Sequence, residues 1–217
     1  KQVLRSIKPQ NIDDVAISIA LGRPGAMAFV KSYNDYKHYG DNTLINKFPE
    51  KIRDLVKNTG GILVLQVQLI AISRRMANFT AQESDSLRYI IGKKKTSEMP
   101  KWKDKFISQS ISNGFDKDFC EWIWNESFIP SSNYSFNASH SYGYAYLTAI
   151  TAYLKANHPL QFFLSLLKNA KNEQDPTSEI SKIQSELHHF GIRLLPPHII
   201  HSELDFSIQE GNIRYGL

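Results

Sequence analysis

The chain has 217 residues, of which 41% are hydrophobic and 22% charged, and its net charge is +5. This composition is typical of a globular protein with one large or two small domains. The single cysteine, Cys120, excludes a disulfide framework and indicates a reducing compartment. No apolar run reaches the ~18 residues that span a bilayer. The chain opens on Lys1 without a secretory signal, and we expect a piece excised from a longer protein.

Apolar periodicity predicts helices through the first half of the chain. Three of them cover 11–22, 48–61 and 62–77, and the third opens on β-branched residues that could begin as a strand. Thr80 stands three residues before Glu83, the spacing of a capping box, and Gly92 is placed to end the helix that follows. Two further helices are expected in 97–115 and 116–128, with a turn at Gly114 between them.

The second half of the chain is also predicted to be helical at first, and its sequence pattern then changes to that of a hairpin. A long helix is predicted over 139–159, with Ser139 as its cap and with one side lined by Tyr142, Ala145, Ala149, Ala152 and Tyr153. Pro159 starts the next helix, and Asp175 caps another that closes at Gly191. Residues 204–217 resemble a hairpin with its turn at 210–212. We therefore predict a mainly α fold with a small β-hairpin element near the C-terminus.

Seven basic and two acidic side chains occupy residues 88–105, so that this segment holds the whole excess of positive charge. Cations past a helix C-terminus complement its dipole by ~0.3–1 kcal/mol each, but that effect needs only one or two of them. For Lys101, Lys103 and Lys105 a solvated helix face is the favoured interpretation. For Arg88, Lys93 and Lys94 an anionic ligand is favoured, and Gly92 leaves room for it against the backbone.

A second candidate is the start of the long helix, in the sequence YSFNASHSYGYAY at 134–146. The free N–H groups of a helix N-terminus attract phosphate, and His140 in the first turn could donate to a phosphate oxygen or stack on a base. Asn137 and Tyr144 lie beside it, and Gly143 permits close approach of a ligand. The alternative is a capped helix with a buried histidine.

Signs of a catalytic centre are missing from the sequence. His188 and His189 lack the further ligands of a metal site, and Asp13 with Asp14 is explained by helix capping. Neither a Gly-rich phosphate loop nor the closely spaced aspartates of a two-metal site stands out. We therefore expect the basic segment to bind without chemistry of its own.

Four segments in order resemble the fingers of the bacterial replicative polymerases of family C, the DNA polymerase III alpha subunits. They are IALGRPGAM at 19–27, GGILVLQVQLIAISRRMANFTAQESDSLRYIIGKKKTSEM at 60–99, YSFNASHSYGYAYLTAITAYLKANHPLQFF at 134–163, and GIRLLPPHIIHSELDFSIQEGNIRYGL at 191–217. The last resembles the segment that leads to the family's helix-hairpin-helix element. The likeness covers nearly the whole chain.

The resemblance implies a fingers core at 1–170 and a distal lobe at 171–217. It implies that the incoming deoxynucleoside triphosphate meets six residues, namely Arg88, Lys93, Lys94, Asn137, Ser139 and His140. The supporting residues would be Arg23, Gln66, Gln68, Gly92 and Tyr144. Contacts with DNA are expected from Lys95, Lys101, Lys103 and Lys105.

The resemblance also implies what the chain lacks. The metal-binding aspartates of the family belong to the palm, which would bind Mg²⁺, so we expect the fragment alone to be inactive. Its expected partners are the primer-template DNA, the palm and thumb, and a sliding clamp, in the cytoplasm of a bacterial or phage-infected cell.

Four positions depart from the family pattern. Tyr89 replaces an arginine, Ala138 a lysine, Val67 a glutamate and Ala26 a proline. Two cations are thereby lost from one pocket, and the pattern predicts a divergent member of bacteriophage or prophage origin. A non-catalytic DNA-binding module that uses the 88–105 segment is the alternative function, and a structural scaffold with solvated lysines is a third.

Overall fold

The computed structural model describes residues 2–217, and helices dominate it. The first nine are α1 (Gln2–Ile7), α2 (Ile12–Leu21), α3 (Val30–Tyr39), α4 (Glu50–Lys57), α5 (Gln66–Ala77), α6 (Ala81–Gly92), α7 (Met99–Ser112), α8 (Lys117–Ile123) and α9 (Ile129–Ser131). A π-helical turn, Trp124–Phe128, joins the last two. After them come α10 (Ala138–Asn157), α11 (Pro159–Asn169) and α12 (Pro176–Leu187), followed by β1 (Leu194–Leu195), β2 (Ser207–Gln209) and β3 (Asn212–Arg214). The predicted mainly α fold with a small β element is confirmed.

The chain divides into two compact units, residues up to Leu147 and residues from Thr148 to Leu217. The boundary lies inside α10 and not in the polar segment KNAKNEQDPTS at 168–178, whose composition predicts a flexible joint. Ala170 in that segment is buried, in a 3-10 turn that follows directly on α11. The expected functional division into 1–170 and 171–217 stays a prediction.

The first unit has two hydrophobic clusters. One is built from α4 to α8 around buried aromatic rings, and in it Phe106 lies 5.1 Å from Phe128 between ring centroids. The other joins α2 and α3 to the segment 62–65 and to Tyr134. Cys120 is fully buried in the first cluster, as expected of a core residue, and burial raises the pKa of its thiol to about 11.

The second unit is built from α11, α12 and the three strands. Phe163, Leu187 and Ile213 are buried at its centre. The predicted hairpin forms between β2 and β3, with Glu210 and Gly211 both at positive φ (48° and 73°) as a tight two-residue turn requires. Strand β1 pairs in parallel with β3, which the sequence did not predict.

Local capping signals match the structure with one correction. Thr80 and Glu83 form the predicted capping box, and Asp175 caps α12. At α10, however, the Asn137 side chain accepts from the N–H of His140 (3.1 Å), so that Asn137 is the cap and Ser139 already lies in the helix. Both residue types cap well, and the choice depends on where the preceding loop is held.

The side of α10 that the five predicted residues line is buried only near the start of the helix. Ser141 and Ala145 are buried, but Tyr153 is 61% exposed, and Ala149 and Ala152 are exposed too. Apolar side chains occur on every side of this helix, so their periodicity could not identify the side that packs.

A buried ion pair joins α2 to α3. Asp14 pairs with Lys37, and both side chains are only 10% exposed. Asp14 also accepts from Tyr33 Oη (3.1 Å) and from the N–H of Gln10 (2.8 Å). Burial by itself would raise the pKa of Asp14, but these donors outweigh it and lower the pKa below 3.8. Breaking such a pair leaves an uncompensated buried charge.

Replacement of Gly61 by alanine should destabilise the first unit. Gly61 has φ +85°, and a Cβ there would lie 2.8 Å from Leu44 Cβ and from Ile45 N. Since both the conformation and the space exclude a side chain, we expect a loss of more than about 1 kcal/mol in the free energy of unfolding. Gly143→Ala is the control. A Cβ at that position meets nothing within 4 Å inside a helix, so stability should rise by roughly 0.5–1 kcal/mol. Urea unfolding measures the free energy of unfolding of both variants. Equal stabilities of Gly61→Ala and Gly143→Ala would contradict the packing argument.

The Asp14 ion pair should make stability depend on acid pH. Because the folded-state pKa is lowered, the pair stabilises the fold above the unfolded-state value, and this contribution disappears as pH falls through the folded-state pKa. We expect Asp14→Asn to be less stable than the wild type at neutral pH, and the difference to shrink below pH 3.8. Asp118→Asn, at an exposed carboxylate of α8, is the control. A pH-independent difference between wild type and Asp14→Asn would rule out the ionic explanation.

Candidate phosphate-binding surface

The α6 end of the predicted site is an open helix C-terminus. The N–H of Lys93 donates to the carbonyl of Tyr89 (2.9 Å), and Lys94 then turns the chain with φ +52°. A Cβ on Gly92 would meet nothing within 4 Å, so the space beside this helix end is unfilled. Lys93 is exposed and makes no ion pair within residues 2–217. This end of α6 therefore presents cations to solvent.

Asn133 connects the end of α6 to the segment that enters α10. Lys94 Nζ donates to Asn133 Oδ1 over 2.7 Å. The carbonyl oxygen of Asn133 lies 2.7 Å from where a Cβ on Gly25 would be, so only glycine permits this approach. Two of the sequence segments that carry the resemblance thus contact Asn133, which directly precedes the third and which the sequence analysis did not select.

The start of α10 exposes an aromatic row. His140 lies 5.4 Å from Phe136 and 4.7 Å from Tyr144 between ring centroids, and the Arg23 guanidinium is 5.0 Å from the Phe136 ring. His140 is exposed, which excludes the alternative of a buried histidine. Phe136 was also missed by sequence analysis; its place in the segment 134–163 that carries the resemblance was the available signal. We refer to Arg23, the end of α6 and residues 133–144 as the α6–α10 surface.

Of the two supporting glutamines, Gln68 is part of the interior. Its Oε1 accepts from the N–H of Leu65 (3.0 Å), and its Nε2 donates to Thr59 Oγ1 (2.7 Å). Gln66 lies at the surface side of the same helix start, where its backbone N–H donates to the carbonyl of Phe136 (2.9 Å). Gln66 therefore contacts the loop before α10 directly, whereas Gln68 bonds the start of α5 to the interior.

Most other cations of the 88–105 segment are paired within the protein. Arg88 donates to Asp85 (2.8 Å), and Lys95 lies 3.2 Å from Glu98 and 4.9 Å from the centroid of the Tyr89 ring. Lys103 is 2.7 Å from Glu121, and Lys105 is 2.5 Å from Glu83. Lys101 is exposed and makes no ion pair in the described part of the chain. These contacts do not join Lys101, Lys103 and Lys105 to the α6–α10 surface.

The ion pair between Glu83 and Lys105 connects two helices. Hydrogen bonds from Lys105 and from Thr80 lower the pKa of the Glu83 carboxyl to about 2. Lys105 Nζ also lies 5.4 Å from the Phe79 ring and 5.5 Å from the Trp102 ring. Lys105 therefore links α7 to the capping box at the start of α6, which is a structural function.

The described residues of the α6–α10 surface form no metal centre. Cavities of about 430, 320 and 240 Å³ are lined by residues outside this surface, and one of about 170 Å³ includes Tyr134 from it. Within residues 2–217, no group of three or more His, Cys, Asp and Glu side chains could hold a metal ion. In the same part of the chain, no helix has both the length and the apolar character needed to cross a membrane.

Known proteins resemble this chain throughout its length. The DNA polymerase III alpha subunit of Aquifex aeolicus is 36% identical over 220 aligned residues that cover 100% of this chain, and that of Treponema pallidum is 36% identical over 99% of it. The Bacillus subtilis subunit is 31% identical over 100% of the chain. The chain spans only 18–19% of the length of these relatives. A family model described as the bacterial DNA polymerase III alpha subunit finger domain matches residues 1–114, more than half of the chain. The chain therefore belongs to the finger-domain family of the bacterial DNA polymerase III alpha subunits.

Proposed function

We propose that this chain is the fingers of a DNA-directed DNA polymerase that acts in DNA replication. In this proposal the α6–α10 surface binds the triphosphate of the incoming deoxynucleotide and lies beside the template base. The observation that carries it is the contact of Lys94 with Asn133, which joins a cationic helix end to the loop that leads into α10.

The two helix ends would hold phosphate in different ways. The C-terminus of α6 carries partial negative charge, so only the side chains of Arg88, Lys93 and Lys94 can attract an anion there. The N-terminus of α10 offers backbone N–H groups. Among them, the Asn137 side chain accepts only from the N–H of His140. Binding by both would orient the nucleotide and stabilise charge that develops on its phosphates.

The chemical step is assigned elsewhere in the polymerase. The residues described here do not fit a divalent metal site, and no catalytic step is derived from them. In the proposal the palm of the full chain binds Mg²⁺, and the isolated fingers do not polymerise DNA. The primer-template, the rest of the polymerase chain and a sliding clamp in the cytoplasm would be the partners.

The ion pairs of the 88–105 segment argue against the alternative function, a non-catalytic DNA-binding module. Lys95, Lys103 and Lys105 each have a carboxylate partner, so the basic segment offers DNA fewer available cations than its sequence suggests. An extended backbone track needs a series of unpaired cations. The geometry therefore favours a local phosphate site.

Lys93→Gln should weaken the binding of a deoxynucleoside triphosphate to this chain. The loss of one charge-assisted contact costs about 1.5 kcal/mol, which corresponds to roughly a tenfold higher dissociation constant. Isothermal titration calorimetry with the triphosphate and with the corresponding monophosphate measures the two dissociation constants. The wild type should bind the triphosphate more tightly than the monophosphate.

The control for this test is Lys117→Gln, which removes one exposed cation from α8. It should leave triphosphate affinity unchanged. Equal affinity of the wild type for monophosphate and triphosphate, or equal effects of the two substitutions, would contradict the proposed site.

Lys105→Gln should reduce stability more than it reduces binding. The substitution removes the partner of Glu83 and the cation beside Phe79 and Trp102, so we expect a lower melting temperature. Calorimetry and DNA titration of Lys105→Gln and Lys101→Gln compare the two roles. If Lys105→Gln weakened DNA binding at an unchanged melting temperature, Lys105 would contact DNA as the sequence predicted.

A further inference from the structure

A cavity of about 430 Å³ opens at the C-terminal end of α5. It is lined by two guanidinium groups, one amide and apolar side chains, and the full list is Leu55, Ala71, Arg74, Arg75, Asn78 and Phe79. None of the lining residues is acidic. The cavity shares no residue with the α6–α10 surface.

The two arginines differ in their partners. Arg75 is held by Asp54, whose two carboxylate oxygens accept at 2.7 and 2.8 Å, and it also donates to the carbonyl of Lys51 (3.2 Å). Arg74 is exposed and makes no ion pair or hydrogen bond with the described residues. One guanidinium thus stabilises the wall of the cavity, and the other remains available to a ligand.

A polar groove continues from this cavity. Asn78 has φ +53°, and its amide donates to Asn113 Oδ1 (2.9 Å), which fixes its orientation. Asn78 also lines a neighbouring cavity of about 240 Å³ whose wall includes Gln109 and Ser112. Amides and hydroxyls of this kind commonly contact the sugar and phosphate of nucleic acids.

Helix capping explains a cation at this end of α5 but not the cavity that Arg74 lines. A cation near a helix C-terminus gains ~0.3–1 kcal/mol from the dipole, and both arginines of the last turn can contribute to it. Because the backbone at this end repels anions, a phosphate would depend on the arginine side chain itself. Phe79 is only 3% exposed, so no ring in the cavity wall is available for stacking on a base.

We propose that Arg74 and the groove through Asn78 bind the phosphate backbone of a DNA strand, at a second site separate from the α6–α10 surface. The choice of DNA as the ligand rests on the proposed function. Guanidinium and amide donors without an available ring recognise the backbone, so the site would be independent of base sequence.

The test measures binding of a labelled single-stranded oligonucleotide of about 12 residues to the full chain by fluorescence anisotropy. The salt concentration is varied between about 50 and 200 mM. If Arg74 contacts one phosphate, Arg74→Gln should weaken binding and reduce the slope of log affinity against log salt by about 0.7. Arg74→Lys should largely retain the slope.

Lys117→Gln again serves as the matched control, because it removes one charge from an exposed position of α8. Equal slopes for Arg74→Gln and Lys117→Gln would overturn the proposal. So would competition by free pyrophosphate as effective as that by DNA at equal phosphate concentration, which would indicate a small-anion site. The triphosphate titration of Lys93→Gln is read separately, so either site can fail without the other.

Discussion

The candidate site depends on one short parallel pairing between distant parts of the sequence. The N–H of Phe136 donates to the carbonyl of Val64 (2.7 Å), and the N–H of Gln66 donates to the carbonyl of Phe136 (2.9 Å). These two bonds tie the segment before α10 to the segment before α5. They fix where α10 begins, and with it the capping Asn137 and the neighbours of Arg23 and Lys94. Gln68, buried beneath this pairing, satisfies the Leu65 N–H that it leaves.

Elements whose ends are encoded locally were predictable from sequence. Thr80 with Glu83, Asp175 before Pro176, and the turn at Glu210 and Gly211 each carry their signal within four residues. Features that need a distant partner were not predictable. The parallel pairing of β1 with β3, the single bridge at Phe136 and the packed side of α10 all depend on tertiary contacts. The choice of Asn137 over Ser139 as the cap belongs to this second group, because the bridge determines it.

The charges available at the candidate site were also only partly predictable from the sequence. Only two carboxylates lie between residues 88 and 105. Three more, Glu83, Asp85 and Glu121, lie outside that segment in the sequence but pair with cations inside it in the structure. A linear count of charge therefore overstates the available positive potential. Conversely, Arg74 lies outside the 88–105 segment and has no carboxylate partner within residues 2–217. Tertiary pairing decides which cations remain for a ligand.

The departures from the family pattern can be understood from the two kinds of helix end. At α6, the proposed anion binding would depend on side chains, and the structure sets Lys95 over the ring of Tyr89, the residue that stands in place of an arginine. A cation is thus present near that position, although it is shared with Glu98. At α10, Ala138 loses the side-chain charge of a lysine but keeps its backbone N–H at the helix start. Because backbone donors do not change with residue identity, the N-terminus of α10 tolerates such substitutions better than the C-terminus of α6. Sequence divergence in this chain should therefore alter the cation-dependent part of phosphate binding first.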